Sequence, residues 1–280
     1  MSEEQKGRVV VITGASDGIG AAAARALHAR GDQVVVVGRS PEKTQAVAEE
    51  LGAENHVVDL ASLRQVRALG AELRERHPRI DVLAGNAGLI AGDQRQETED
   101  GHELTFQVNH LAPFLLTMLL REPLVAARGR VIVTASAAGL GARIDLDDLE
   151  FKKRYSSFGS YGTTKLENML FARELARRWG PDGVTAAAFH PGAVRSRWGH
   201  EGGRLIRFFT RSPARYLLRS PERGADTLVW LATTDPATTW GSGGYFADRK
   251  PARANKLVED AEVRQGLWDR SMEMLGLAAQ

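Results

Sequence analysis

The chain is predicted to fold as a single doubly wound α/β domain, with a parallel sheet between two layers of helices. Three observations predict it. Short apolar runs rich in β-branched residues alternate with helix-like segments along the chain. These runs are continuously apolar rather than alternating, as expected of strands covered on both faces. A glycine-rich turn follows the first run and opens the first helix, and in such folds the crevice lies at the carboxyl ends of the strands.

The elements follow in order. Arg8–Thr13 (RVVVIT) reads as a buried strand, Gly14–Gly20 as a turn, and Ala21–Arg30 as an alanine-rich helix closed by Gly31. Gln33–Val37 is a second apolar run. Pro41–Leu51 is helical and Gly52 ends it. His56–Leu60 is a short strand, Leu63–His77 a charged amphipathic helix followed by Pro78, and Ile80–Ala84 a fourth strand. Glu103–Leu120 is mostly helix, Gly129–Thr134 a fifth strand, Ser160–Arg178 a helix and Val184–Phe189 a sixth strand. No repeat or linker divides residues 1–280, so one domain is expected. Two segments break the rhythm. Leu140–Gly159 reads as a polar insertion. Residues 196–220 are Arg-rich and irregular where a connection should be short, which suggests a substrate lid.

Composition excludes several classes. Apolar residues make up 43% and charged residues 26%, and Lys plus Arg (37) nearly balance Asp plus Glu (35), so bulk charge does not argue for nucleic acid. The absence of cysteine rules out disulfides and thiolate metal sites. The seven His show no metal-site pattern, and His190 fits a His-Pro-Gly turn. The longest apolar run, within Leu111–Leu120, is too short to span a bilayer and contains Pro113. With no apolar signal core at the N-terminus, a soluble cytoplasmic protein is expected.

Chemistry gathers in a few places. Thr13-Gly-Ala-Ser-Asp-Gly-Ile-Gly20 joins a strand to a helix, as in a Rossmann-type fold. Its glycines allow close approach of a pyrophosphate to unpaired helix N–H groups, although such a cluster is also often only a turn. Tyr161 and Lys165 stand one turn apart on one helix face. A phenol titrates near pH ~10. An ammonium at ~4 Å favours the phenolate by up to ~4 kcal/mol at an effective dielectric of ~20, which would bring the phenol toward neutral-pH proton transfer. Taken alone, the pair is weak evidence, because most such pairs are a half-buried Tyr and a solvated Lys on an ordinary helix.

Taken together these motifs resemble the short-chain dehydrogenase/reductase family, over about Arg8 to Gly276. The glycine loop, Asp59-Leu60, Asn86-Ala-Gly88, Asn109, Ser136, Tyr161/Lys165 and Pro191-Gly192 with Ser196 recur in the family's order. The chain is most similar to the retinol dehydrogenase and WW-domain oxidoreductase branch, through Phe106-Gln-Val-Asn-His-Leu111, the insertion Ile144–Phe151 and His190-Pro-Gly192.

The resemblance implies roles. Ser136 would hydrogen-bond the substrate oxygen, and Tyr161 would pass the proton. Lys165 would hold the nicotinamide ribose and lower the Tyr161 pKa, and Asn109 would anchor a water chain from Lys165 to solvent. A strand-end cap for Ser136 and a buried, backbone-satisfied amide for Asn109 are the structural alternatives. Gly14, Ser16, Asp17, Gly18, Ile19 and Gly20 would line the dinucleotide, with Ile19 at its nicotinamide end. Asp59, with Leu60, would contact the adenine, unless Asp59 is a helix N-cap. Asn86, Ala87 and Gly88 would support that pocket, with Gly85 where the family more often has a first Asn. Pro191, Gly192, Val194 and Ser196 would hold the carboxamide, with Ser196 in place of the more usual Thr.

Cofactor choice turns on Gly38-Arg39-Ser40. Arg39 can bind a 2′-phosphate where NAD enzymes carry an acid, so NADP(H) is expected before NAD(H). Asp17, where NADP-preferring relatives often carry a basic residue, points the other way. The resemblance therefore implies an oxidoreductase acting on a carbonyl or alcohol, and the long segment with Trp198, Phe208, Phe209 and Tyr216 suggests a sizeable, partly apolar substrate such as a ketone, aldehyde or polycyclic metabolite. A catalytically silent NADP(H)-binding sensor is the alternative. Arg207, Arg211, Arg215, Arg219 and Arg223 recur every fourth residue, open to three readings: a solvated lid, recognition of an anionic or carrier-bound substrate, or a membrane-surface contact. A homodimer or homotetramer would use the helices around Leu111–Leu120 and Thr164–Arg178, unless those faces simply cover the sheet.

Overall fold

The computed structural model describes residues 7–194 and 218–278. An eight-stranded sheet runs in the order β3-β2-β1-β4-β5-β6-β7-β8. Its strands are β1 (Val9–Thr13), β2 (Gln33–Gly38), β3 (Glu54–Val57), β4 (Val82–Gly85), β5 (Arg130–Thr134), β6 (Thr185–Phe189), β7 (Gly244–Ala247) and β8 (Lys250–Pro251). All neighbours are parallel except β7 and β8. The order reverses at β1, so the connections that follow the parallel strands β1 and β4 run to opposite sides and open a crevice at their carboxyl ends.

The apolar strands split by period two into two cores. Val10, Ile12, Val34, Val36, Val82 and Ala84 face one layer. It is formed by α1 (Gly18–His28), α2 (Pro41–Leu51) and α7 (Pro221–Thr233). Val11, Val35, Leu83, Val131 and Val133 face the other. There lie α3 (Leu63–Arg76), α4 (Leu104–Leu119) and α6 (Ser157–Trp179), with α5 (Arg121–Ala127) between α4 and β5 and α8 (Ala261–Met274) outside them.

Differences from the sequence reading have local causes. β3 begins at Glu54, two residues early, because its register on β2 pairs Val35 with Glu54 and Gly38 with Val57. The helix expected over 103–120 is not regular. Gln107–Leu111 form a π turn, and Pro113 lacks the N–H that would bond the Asn109 carbonyl in an α-helix. The insertion before α6 is less polar than it reads: Leu149 is buried, and Ile144 and Leu146 pack on the core. The elements β7, β8, α7 and α8 were not foreseen. The lid segment lies outside the described residues, apart from 218–220.

The helical face considered for self-association is partly covered by the chain itself. Trp268 of α8 packs against Phe114 and Phe171 at ring separations of 5.0 and 6.1 Å. Among the described residues no single helix is long and apolar enough to cross a membrane.

Candidate active site

The crevice is built from the ends of β1 and β4. The Thr13 hydroxyl accepts from the Asn86 and Ala87 amides at 3.1 Å each, and the Asn86 Nδ2 donates to the Thr13 carbonyl at 3.0 Å. These bonds lock the glycine loop to the segment leaving β4. At Gly20 a Cβ would come within 2.2 Å of the Gly14 carbonyl oxygen, so only glycine lets α1 start this close to the loop. The result is a helix N-terminus at the mouth of the crevice, where a pyrophosphate fits.

Asp17 complicates that end. One carboxylate oxygen accepts from the Gly18 amide at 2.8 Å, and the other takes the Lys43 ammonium at 2.8 Å. Arg39 is exposed immediately after β2. Gly38 approaches so closely that a Cβ there would lie 2.7 Å from the Ser16 Cβ. Arg39, Ser16, Asp17 and Lys43 therefore share one corner. Asp59 closes a turn by accepting from the Ala61 amide at 2.9 Å, and Leu60 beside it is buried. The cap position of α3 belongs to Ser62, not Asp59.

The residues expected to handle the proton meet at the end of β5. Tyr161 is 7% exposed and Lys165 is 3% exposed, both on α6. Ser136 follows β5, its hydroxyl accepts from the Ala138 amide at 3.2 Å, and it hydrogen-bonds the Tyr161 phenol. Ser136 is thus a turn cap and a partner of the phenol at once. The Lys165 Nζ lies 5.5 Å from the centre of the Tyr161 ring and donates to the Thr134 carbonyl at 3.0 Å. The peptide backbone after β4 passes close by: a Cβ at Gly88 would lie 3.1 Å from Asn109 Oδ1 and 3.2 Å from Lys165 Nζ.

Charge in this pocket departs from the sequence expectation. Burial pushes the Tyr161 phenol up to about 12, against a smaller downward pull from Ser136. Burial also pulls the Lys165 ammonium down to about 8. Lysine loses its proton first, so its charge is absent at the pH where the phenol would ionise. In the ligand-free chain desolvation outweighs the attraction that was expected to lower the Tyr161 pKa.

Asn109 is fully engaged through its side chain. Its Oδ1 accepts from the Leu89 amide at 2.8 Å, and its Nδ2 donates to the Leu89 carbonyl at 2.9 Å and to Thr164 Oγ1 at 3.1 Å. Both amide protons are used, so a water chain starting here would rest on the Asn109 carbonyl, which Pro113 deprives of its usual helical donor.

On the far side, the segment after β6 is held by Arg219. Its amide donates to the Ala193 carbonyl at 2.8 Å, Val194 bridges to Arg219, and its guanidinium pairs with Asp248. A Cβ at Gly192 would touch the Arg219 side chain. Of the five arginines at fourfold spacing, Arg219 is therefore a strut, Arg223 is exposed on α7, and the other three lie outside the described residues, as does Ser196. Ile19 and Val194 converge on Gly224, where a Cβ would meet Val194 at 2.7 Å and Ile19 at 3.1 Å. Pro191 lies between the half-buried His190 and Gly192.

Sequence reasoning missed three neighbours. Thr134 supplies the carbonyl that Lys165 uses. Asn168, three residues past Lys165, donates to the same carbonyl at 3.1 Å. Tyr245 of β7 is buried near Tyr161 and stacks on His190 at 5.9 Å. Only Asn168 carried a signal, as a polar residue inside the apolar stretch of α6.

Comparison with known proteins agrees with this geometry. The short chain dehydrogenase family model matches residues 8–203. A protein of Streptomyces sp. (strain C5) named "Putative daunorubicin C-13 ketoreductase DnrU" is 47% identical over 98% of this chain and 94% of its own length. Human retinol dehydrogenase 13 is 39% identical over 98% of this chain and 86% of its own. Among solved structures, a Pseudomonas aeruginosa RhlG/NADP active-site complex has a TM-score of 0.68 and 25% identity, and the match covers 86% of this chain and 94% of that one. A crevice at the β1/β4 switch point, a serine–tyrosine–lysine group beside it and these matches lead to one statement: the chain belongs to the short chain dehydrogenase family, alongside the retinol dehydrogenases.

Proposed function

We propose that this chain is an NADP(H)-dependent oxidoreductase that interconverts a carbonyl and an alcohol, with Tyr161 as general acid and base. The meeting of Ser136, Tyr161 and Lys165 at the end of β5 carries this reading. When bound, the nicotinamide supplies or accepts a hydride at its C4. Gly14, Gly18 and Gly20 would receive the pyrophosphate, and Arg39, with Lys43 beside it, a 2′-phosphate.

Ser136 polarises the substrate oxygen and shares a hydrogen bond with the phenol. Tyr161 gives its proton to that oxygen in reduction and takes it back in oxidation. In the buried pocket the phenol stays protonated, which suits donation. Lys165, held by Thr134, sits where it can bind a ribose hydroxyl and offer positive charge to the developing phenolate.

The NADP-bound structural relative and the names of the curated relatives support the cofactor and a sizeable, partly apolar substrate such as a polycyclic ketone or an aldehyde. The test is turnover of a ketone and aldehyde panel with NADPH and with NADH. Turnover with NADPH preferred is expected. A clear NADH preference would reject the cofactor assignment, and cofactor binding with no turnover would favour a sensor.

A further inference from the structure

The segment that follows Ser136 has little side-chain packing to hold it. Residues 137–142 read Ala-Ala-Gly-Leu-Gly-Ala, and the one large side chain, Leu140, is 41% exposed. Two glycines widen the choice of backbone conformations further. Yet the segment runs tight against α6. A Cβ at Gly139 would lie 2.9 Å from the Leu166 nitrogen and 3.0 Å from the Lys165 carbonyl carbon. Gly139 also sets Ser136. Its amide donates to the Ser136 carbonyl at 3.0 Å, next to the Ala138 amide on the Ser136 hydroxyl.

One side chain closes over this segment from outside. Asn255, half-buried between β8 and α8, directs its Nδ2 at the carbonyls of Gly139, Leu140 and Ala142, at 2.9, 3.2 and 2.9 Å. An amide nitrogen has two protons, so three acceptors share them. The Asn255 Oδ1 accepts from the Leu257 amide at 3.0 Å and caps a short 3₁₀ turn, Lys256–Glu259. That turn is itself tied to α6. Val258 is buried in the core that holds Leu166 and Met169, and Glu259 pairs with Arg173 at 2.9 Å. The helix that carries Tyr161 and Lys165 thus supports the segment from inside and, through Asn255, from outside.

We propose that Asn255 is a positioning residue for the reaction: its amide nitrogen clamps residues 139–142 against α6 and so holds Ser136 beside the Tyr161 phenol. The assignment of Ser136 to the substrate oxygen rests on the oxidoreductase reading above. Asn255 touches no reacting atom. It acts through Gly139, whose carbonyl it holds and whose amide holds Ser136. Thr163 of α6 donates to the Arg143 carbonyl at 2.9 Å and fixes the far end of the segment.

The test separates the two halves of the Asn255 amide. Asn255→Asp keeps an oxygen to cap Leu257 but sets a carboxylate oxygen against three carbonyls, and Asn255→Ala removes both halves. Amide hydrogen exchange is read in cofactor-free protein, so this arm does not depend on turnover. In both variants the Ala138 and Gly139 amides are expected to exchange at least ~10-fold faster, with the Ile12 amide of β1 as the report of global stability. Turnover is then measured with NADPH and a carbonyl of the panel that wild type reduces. In both variants kcat is expected to fall about 10-fold with the KM for NADPH within about 2-fold, because a misplaced Ser136 weakens the transition state and leaves the dinucleotide corner intact. Unchanged Gly139 exchange in Asn255→Asp would overturn the proposal. So would equal acceleration at Ile12, wild-type kcat despite faster exchange, or a defect in Asn255→Ala that Asn255→Asp lacks, which would leave Asn255 as a cap alone. If wild type reduces no carbonyl, the functional reading fails, and the exchange result still decides whether Asn255 holds the segment.

Discussion

The Lys43 ammonium sits 2.8 Å from the Asp17 carboxylate, joining the first turn of α2 to the glycine loop. Asp17 was the residue that counted against a 2′-phosphate in the sequence. Its pairing with Lys43 offsets that charge and leaves the corner shared with Arg39 less hostile to an anion. Lys43→Glu is expected to raise the KM for NADPH about 10-fold, with the KM for NADH nearly unchanged. The pair is exposed, so the effect should shrink in high salt. Equal losses with both cofactors would mean that Lys43 acts on the fold and not on phosphate recognition.

Lys165 is a buried charge whose one resolved hydrogen bond goes to a carbonyl. Its pKa of about 8 in the folded chain, below the ordinary 10.5, means that the unfolded chain holds the extra proton between those values. The cost of burying it is therefore full below pH 8 and shrinks as pH rises toward 10.5. Lys165→Met should stabilise the protein by ~2 kcal/mol at pH 7 and by much less at pH 10, while lowering kcat at least ~100-fold. Urea denaturation at the two pH values checks the first part. A stability gain that does not change with pH would contradict it.

Glu167 of α6 is fully buried, and neither carboxylate oxygen has a hydrogen-bond partner. Burial, with the neighbouring Glu103, raises its pKa well above the ordinary carboxylate value. The unfolded chain then loses this proton first, so stability falls as pH rises above about 4.5, by up to ~1.4 kcal/mol per pH unit. Glu167→Gln removes that slope, and its advantage over wild type should grow between pH 5 and pH 8. Parallel stability curves for the two proteins would rule this out.

The strands β1, β2 and β5 were legible because continuous Val and Ile runs have few other uses. The glycine loop was legible because its spacing records a close approach that no side chain survives, as at Gly20. Order along the chain identified Ser136, Tyr161 and Lys165. What was not legible depends on distance in space. Gly-Tyr-Phe-Ala of β7 is too short to announce a strand, and it exists because β6 offers an edge. The pairing of Asp17 with Lys43 spans 26 residues and two elements. The Tyr161 pKa depends on how much water the folded chain removes, which no local pattern records. The packing of α8 over Phe114 and Phe171 likewise appears only once the sheet has placed α4 and α6.

The central claim is that Tyr161 transfers the proton. The most direct measurement is kcat for Tyr161→Phe alongside the NADPH dissociation constant of the same variant. The account expects kcat to fall by at least ~1000-fold with cofactor affinity within about 3-fold of wild type, because the phenol hydroxyl is lost while the glycine loop, Arg39 and Lys165 remain. Turnover near the wild-type rate in Tyr161→Phe would contradict it.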